Sequence, residues 1–337
     1  MDRLPVRPLG RTGLDVTVLG FGSAPLGELY RRLDEREAIA AITTAIARGV
    51  NLIDTSPHYG HGLAEHRIGS ALREAGNPHV VLSTKIGRVM DPRRPRAGES
   101  RFVGGLPHGA RFDYSYDGAL RSLEQSLIRL GVDHIDVVLI HDVDVWTHGP
   151  AMIEQRFAEA MAGAYRALDE LRRERVIKAL GVGLNEAAMC ERFAQAGDFD
   201  VMLLAGRYSL IEQPALASFL PLAQRKGIGV MLGGVFNSGV LATGATPDAT
   251  YNYRPAPSEV LDKVRRIERV CARHGVPLRR AAVHFALGHP AVATLVLGAV
   301  KPAEVETQVE DLSTPVPTAL WTDLKAEGLV DRDAPTP

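Results

Sequence analysis

The chain has 337 residues, 39 Lys+Arg against 40 Asp+Glu for a formal charge of −1, and a hydrophobic fraction of 45%. That balance argues against nucleic acid or an anionic membrane as the main partner, since both select a strongly basic face, and the apolar content is that of a globular protein with a sizeable core. Cys190 and Cys271 have neither disulfide-framework nor zinc spacing, and no secretory apolar segment or run of about 18 apolar residues occurs, so the expectation is a cytoplasmic protein acting on a small molecule.

In chain order, short β-branched or Leu-rich runs at 15–22, 51–55, 79–85, 134–141, 176–182, 200–205, 227–233 and 292–298 read as buried parallel strands. Helices follow them. The first, at 35–48, has Asp34 as N-cap, Glu37 three residues on, Ile39, Ile42 and Ile46 on one face and Gly49 past its end. Others are expected near 64–75, at 118–130, where Leu120, Leu123, Leu127 and Leu130 stop at Gly131, and near 154–174, 186–196, 214–226, 259–274 and 302–311, with an extra one at 279–288. Eightfold strand–helix alternation predicts an α/β fold, a (β/α)8 TIM barrel, because each parallel connection needs a crossover helix. An open doubly wound sheet would carry G-x-G-x-x-G after its first strand, and neither Gly20-Phe21-Gly22 nor Gly181-Val182-Gly183 completes it. The prediction is one domain over 1–337, with its core at about 9–312 and a flexible tail at 331–337.

Two long insertions, 86–114 and 234–257, follow strands at their C-terminal ends, where barrel active sites lie. The cluster Arg93, Arg94 and Arg96 in the first reads better as a solvated tip than as a phosphate site.

Chemistry concentrates at the ends of strands two, three and four, which read Asp54-Thr55-Ser56-Pro57-His58-Tyr59-Gly60, Leu82-Ser83-Thr84-Lys85 and Leu139-Ile140-His141-Asp142. Singly, Asp54 could cap a turn, Tyr59 sit on a rim, Lys85 snorkel and His141 be a bonded core histidine. Together, three adjacent strands deliver an acid, a tyrosine, a lysine and a histidine to one mouth.

These segments resemble the aldo-keto reductases, which have D-T-x-x-x-Y-G after strand two, a Lys ending strand three and a His ending strand four. SLEQSLIRLGVDHIDVVLIHDVD resembles the same family, and the similarity runs from about Leu9 to Leu312. The resemblance implies Asp54, Tyr59, Lys85 and His141 as the catalytic set of a nicotinamide-dependent oxidoreductase. Tyr59 would exchange the substrate proton, Lys85 would favour its phenolate, Asp54 would orient Lys85, and neutral His141 would donate to the substrate oxygen. His58 and Trp146 would wall the substrate pocket. His58, His61 and His66 could suggest a metal, but this chemistry needs no Lewis acid and none is expected.

Cofactor contacts are implied at Ser23, Asn185, Arg207, Gly233, Gly234, Phe236, Gly239, Gly298, Glu304 and Gln308, although the chain departs from the family here. The Gln expected after strand six is Ala205, the stacking aromatic after strand seven is Gly233, and the Lys-Ser pair and Arg that hold the NADP 2′-phosphate fall at Gly298, Ala299 and Glu304. NAD is therefore expected over NADP. These departures and FDYSYDGALRSLEQSL resemble the branch with aldose 1-dehydrogenases, L-galactose dehydrogenases and pyridoxal 4-dehydrogenases. The implied reaction is oxidation of a cyclic hemiacetal, a sugar or pyridoxal, to a lactone. An NADPH-dependent aldehyde or ketone reductase and a nicotinamide-binding regulatory subunit remain the alternatives, and the oligomeric state stays open.

Overall fold

Strands that are apolar on both faces need cover on both, and a ring of crossover helices around a closed parallel sheet supplies it. The computed structural model describes residues 4–93, 100 and 102–337. Its strands β1 (Leu19–Gly22), β2 (Leu52–Asp54), β3 (Val81–Ile86), β4 (Val137–His141), β5 (Ala179–Leu184), β6 (Val201–Ala205), β7 (Gly229–Gly233) and β8 (Val292–Gly298) close in sequence order into a parallel barrel. The register pairs Gly22 with Asp54, Asp54 with Ser83, Lys85 with Leu139 and His141 with Gly183, so strand ends two to five are level.

Inside the barrel Leu52, Val81, Val137, Leu139, Val201 and Met231 form one cluster, with Leu9, Leu14 and Val16 closing it at the N-terminal ends. A larger cluster between barrel and helices holds Ile42, Ile68, Leu168, Phe193, Phe285 and Trp321. The helices start and stop on local chemistry. Asp34 accepts from the Glu37 amide at 3.0 Å to begin Glu35–Ala47, and Ser115 accepts from the Gly118 amide at 3.1 Å to begin Tyr116–Leu130, which Gly131 ends in the left-handed conformation. Each such cap contributes about 1 kcal/mol.

Four expectations need correction. The run 15–22 is two strands: Asp15–Thr17 pairs antiparallel with Val6–Pro8 and carries Leu14 and Val16 into the plug, and only Leu19–Gly22 joins the barrel. The helix at 154–174 breaks at Gly163, whose Cβ would lie 2.5 Å from the Tyr114 carbonyl, giving Ile153–Ala162 and Ala164–Arg173. Both insertions contain hairpins, Arg88–Asp91 with Gly109–Phe112 and Thr250–Tyr251 with Arg254–Pro255; Arg94 and Arg96 lie outside the described residues. Finally, the core continues past Leu312. Helix Thr318–Ala326 buries Leu320, Trp321 and Leu324, and the end of the chain packs, with Ala334 buried and its carbonyl accepting from Lys325 Nζ at 2.7 Å. Among the described residues no helix is long and apolar enough to cross a membrane.

Candidate active site

Side chains two apart on a strand share a face, so Ser83 and Lys85 on β3 both point into the barrel mouth beside Asp54 at the end of β2. Lys85 Nζ donates to Asp54 Oδ2 at 2.6 Å and to the Thr55 carbonyl at 2.8 Å, and Ser83 Oγ donates to Asp54 Oδ1 at 2.7 Å. All three are buried. Burial raises the Asp54 carboxyl, while Lys85 and Ser83 oppose the rise by charge and hydrogen bonding. Gly183 on β5 makes room for the lysine stem, since a Cβ there would lie 3.3 Å from Lys85 Cε.

Tyr59 sits half-buried one residue before Gly60, which has φ 63° and whose Cβ would meet the Gly27 carbonyl at 2.6 Å. Only glycine fits that turn, and the turn sets where Tyr59 points. The Lys85 ammonium is 5.0 Å from the Tyr59 ring centroid, and the His141 ring meets Tyr59 edge-on at 6.0 Å. At the Tyr59 hydroxyl other groups outweigh the Lys85 ammonium. Burial, then the Asp54 and Asp142 carboxylates, raise it well above its ordinary value. The ammonium's hydrogen-bond acceptors are Asp54 Oδ2 and the Thr55 carbonyl. Burial, then the cations Arg88 and Lys85, hold His141 well below the usual imidazole range, so it is neutral. His58 is likewise lowered by burial and Arg88, and its ring packs edge-on to Phe102 at 5.2 Å.

Four neighbours of this set carry no expectation from the sequence. Ser56 Oγ lies 3.0 Å from His141 Nδ1; Arg88 lies 3.3 Å from the same nitrogen and ion-pairs with Asp142 at 2.7 Å; Asp142 Oδ1 accepts from Asn185 Nδ2 at 3.3 Å; and Tyr253 reaches the mouth from the 234–257 insertion. The cavity they enclose has a volume of about 450 Å³ and includes His58, Tyr59, Lys85, His141, Trp146 and Asn185 in its walls, with Arg93 from the arginine cluster also lining it. The histidines considered for a metal have separate partners: His61 Nε2 bonds Ser100 Oγ at 2.8 Å, His58 packs on Phe102, and His66 is exposed.

The expected cofactor contacts divide. Ser23 Oγ, at the end of β1, is buried without a hydrogen-bond partner among the described residues. Gly183, Leu203 and Ala205 give the cavity a floor of small or apolar side chains, a surface suited to a flat ring. Gly298 is exposed at the end of β8, and its carbonyl accepts from Gln308 Nε2 at 2.8 Å. Gly233 ends β7, exposed Gly234 follows with φ 63°, and Gly239, with φ 110°, starts the short helix Val240–Thr243. Arg207 ties together Asn185, Glu212 and Asn252 at 2.8, 2.7 and 3.0 Å and lines a pocket beside Trp146, and Phe236 packs half-buried against the core. Asn185 reaches the cavity, but its amide nitrogen is held by Asp142 and Asp144, leaving its oxygen. Glu304 is exposed, accepting from the Val300 amide at 2.8 Å.

A closed parallel barrel with an acid, a lysine, a tyrosine and a histidine gathered at its C-terminal mouth is the architecture of a nicotinamide-dependent oxidoreductase. The Aldo/keto reductase family model matches residues 18–326, and the chain belongs to that family. It is 38% identical over 336 residues to the pyridoxal 4-dehydrogenase of Microbacterium luteolum, covering 96% of this chain and 97% of that one. To the D-threo-aldose 1-dehydrogenase of a Pseudomonas species it is 35% identical over 331 residues, with 96% and 97% covered. The holo form of an aldo-keto reductase from Bacillus halodurans shares the fold at a TM-score of 0.76, with 24% identity and coverage of 98% and 97%. The chain is therefore an NAD(P)-dependent oxidoreductase.

Proposed function

We propose that the protein oxidises a cyclic hemiacetal, of an aldose or of pyridoxal, to a lactone with NAD. The observation that carries this reading is the buried Lys85–Asp54 pair beneath Tyr59 and His141, together with the names of the two relatives above. When bound, NAD supplies a hydride acceptor. Tyr59 takes the hydroxyl proton, Lys85 stabilises the phenolate that can receive it, Asp54 keeps Lys85 charged and oriented, and His141 donates to the substrate oxygen. A hemiacetal carbon suits the reaction because its ring oxygen stabilises the positive charge that develops as hydride leaves. Initial rates for L-fucose, L-galactose, D-arabinose and pyridoxal with each oxidised cofactor test the proposal. Hemiacetal oxidation faster than aldehyde reduction is expected, and much faster aldehyde reduction overturns it.

The Tyr59 hydroxyl sets the sign of the pH dependence. Held above its ordinary value, it must lose a proton before it can accept one, so kcat/KM for oxidation rises with pH between about 7 and 9, whereas reduction, which uses the phenol, does not. Oxidation that slows over this range contradicts the role given to Tyr59.

For NAD over NADP, the support is charge. Gly298 and Ala299 offer no cation, Glu304 presents a carboxylate at the first turn of Pro302–Ser313, and Lys301 faces Glu37 at 3.5 Å. A carboxylate repels a 2′-phosphate and accepts from a free 2′-hydroxyl. Glu304→Arg should move the ratio of kcat/KM for NADP against NAD upward by about tenfold to a hundredfold. Both cofactors lose some affinity because the Val300 amide loses its acceptor, so the ratio is the readout. A native enzyme that prefers NADP contradicts the assignment.

A further inference from the structure

Arg88 begins the hairpin strand after β3 and is buried, its guanidinium carbon 4.5 Å from the Phe112 ring centroid and its carbonyl accepting from Ser122 Oγ. One nitrogen lies 3.3 Å from His141 Nδ1, and another pairs with Asp142 Oδ2 at 2.7 Å. A guanidinium has donors and no acceptor, and Ser56 Oγ, 3.0 Å from the same nitrogen, already accepts from the His58 amide and keeps its hydroxyl proton to donate, so both neighbours are met by a lone pair on Nδ1. The proton of a neutral imidazole then sits on Nε2, which lies 3.4 Å from Asp142 Oδ1 on the cavity wall.

We propose that Arg88 is a positioning residue that fixes His141 as the neutral Nε2–H tautomer, by donating to Nδ1 and by occupying the Asp142 carboxylate. The inference rests on the reading of His141 as donor to the substrate oxygen. The opposite tautomer would set a lone pair against that oxygen, and an imidazolium would bring a labile proton where only a hydrogen bond is wanted. Among the described residues, Asp142 is the carboxylate whose oxygen lies beside the His141 ring, 3.4 Å from Nε2, where it would pair with an imidazolium. The Arg88 pair takes one carboxylate oxygen, and Asn185 Nδ2 bonds the other at 3.3 Å. Around His141 the remaining groups among the described residues are Lys85 from β3, His58, Tyr59 and Ser56 from the loop after β2, and Tyr114, whose hydroxyl donates to the His141 carbonyl at 2.8 Å. Lys85 and Arg88 both oppose a charge on the ring.

The ¹⁵N spectrum of histidine-labelled protein, with His141 assigned by its loss in His141→Gln, reads the tautomer without substrate or cofactor. The unmodified protein should show an unprotonated Nδ1 and a protonated Nε2 throughout about pH 5–8, with no titration near the ordinary value of about 6.5. In Arg88→Met, Asp142 is freed and His141 should titrate within that range. The midpoint of that titration should stand at least about one pH unit above the unmodified protein's, tenfold in proton affinity. Arg88→Lys should recover part of the shift through its charge, and adding Asp142→Asn to Arg88→Met should remove the imidazolium's partner and reverse it. An Nδ1–H tautomer or an imidazolium titrating near 6.5 in the unmodified protein overturns the proposal, even where Arg88→Met does not fold. So does an Arg88→Met spectrum identical to the unmodified one. Because the spectrum needs no turnover, failure of the substrate panel leaves this test standing.

Discussion

Tyr59→Phe should lower turnover by about 10²–10⁴-fold, the range that general acid–base catalysis supplies, equivalent to about 3–5 kcal/mol of barrier. The ring stays where it is. Its position comes from the turn locked by Gly60 against Gly27 and from its edge contact with His141, neither of which involves the hydroxyl. Cofactor binding and melting temperature should therefore change little. Stopped turnover with intact NAD binding, followed by fluorescence quenching, is the expected pair of results; retained turnover refutes proton transfer through Tyr59.

Lys85→Met should be costly twice. Asp54 would remain buried among Ser83 and the Thr55 backbone without the ammonium it pairs with, and breaking a buried pair from one side typically costs about 3–5 kcal/mol. The carboxyl, already raised by burial, would rise further and take up a proton. A folded-state value above the unfolded one stabilises at low pH and is lost as pH rises through it, so the melting deficit should be smaller at about pH 4–5 than at about pH 8. Turnover should also fall by roughly 10²–10⁴-fold, because the phenolate loses its ammonium. Adding Asp54→Asn to Lys85→Met should restore much of the stability and none of the turnover. Stability measured by calorimetry across pH and turnover measured at pH 7 separate the two roles; a Lys85→Met protein as stable as the original contradicts the pairing.

The sequence made part of this site legible because strand-end residues in a barrel follow directly on apolar runs. Asp54, Lys85 and His141 each close such a run, and register alone brings them level. The departures at Ala205, Gly233 and Glu304 were equally legible as residues, but not their surroundings: nothing in the pattern shows that Arg207 would be tied to Glu212 and Asn252. Arg88 was hidden for a related reason. Several arginines follow β3, and which one turns inward depends on a hairpin paired across seventeen intervening residues, Asp91 with Gly109, and on Asp142 adopting φ 56°. The break between Asp15–Thr17 and β1 was hidden because Val16, Val18 and Leu19 are all apolar, so the turn leaves no mark in the alternation. The last helix does carry a signal in the spacing of Leu320, Trp321 and Leu324, but its nine residues follow a proline-rich stretch that reads as the end of the fold.

In the proposed reaction hydride leaves a hemiacetal carbon towards a nicotinamide at the mouth formed by Asp54, Tyr59, Lys85 and His141. L-fucose deuterated at its anomeric carbon, and pyridoxal deuterated at its aldehyde-derived carbon, test it directly when turned over with NAD and followed by mass spectrometry and NMR. At least one of the two should yield one deuterium in the reduced nicotinamide per turnover and a lactone as the product. Deuterium retained in the product, or released to water, would contradict it.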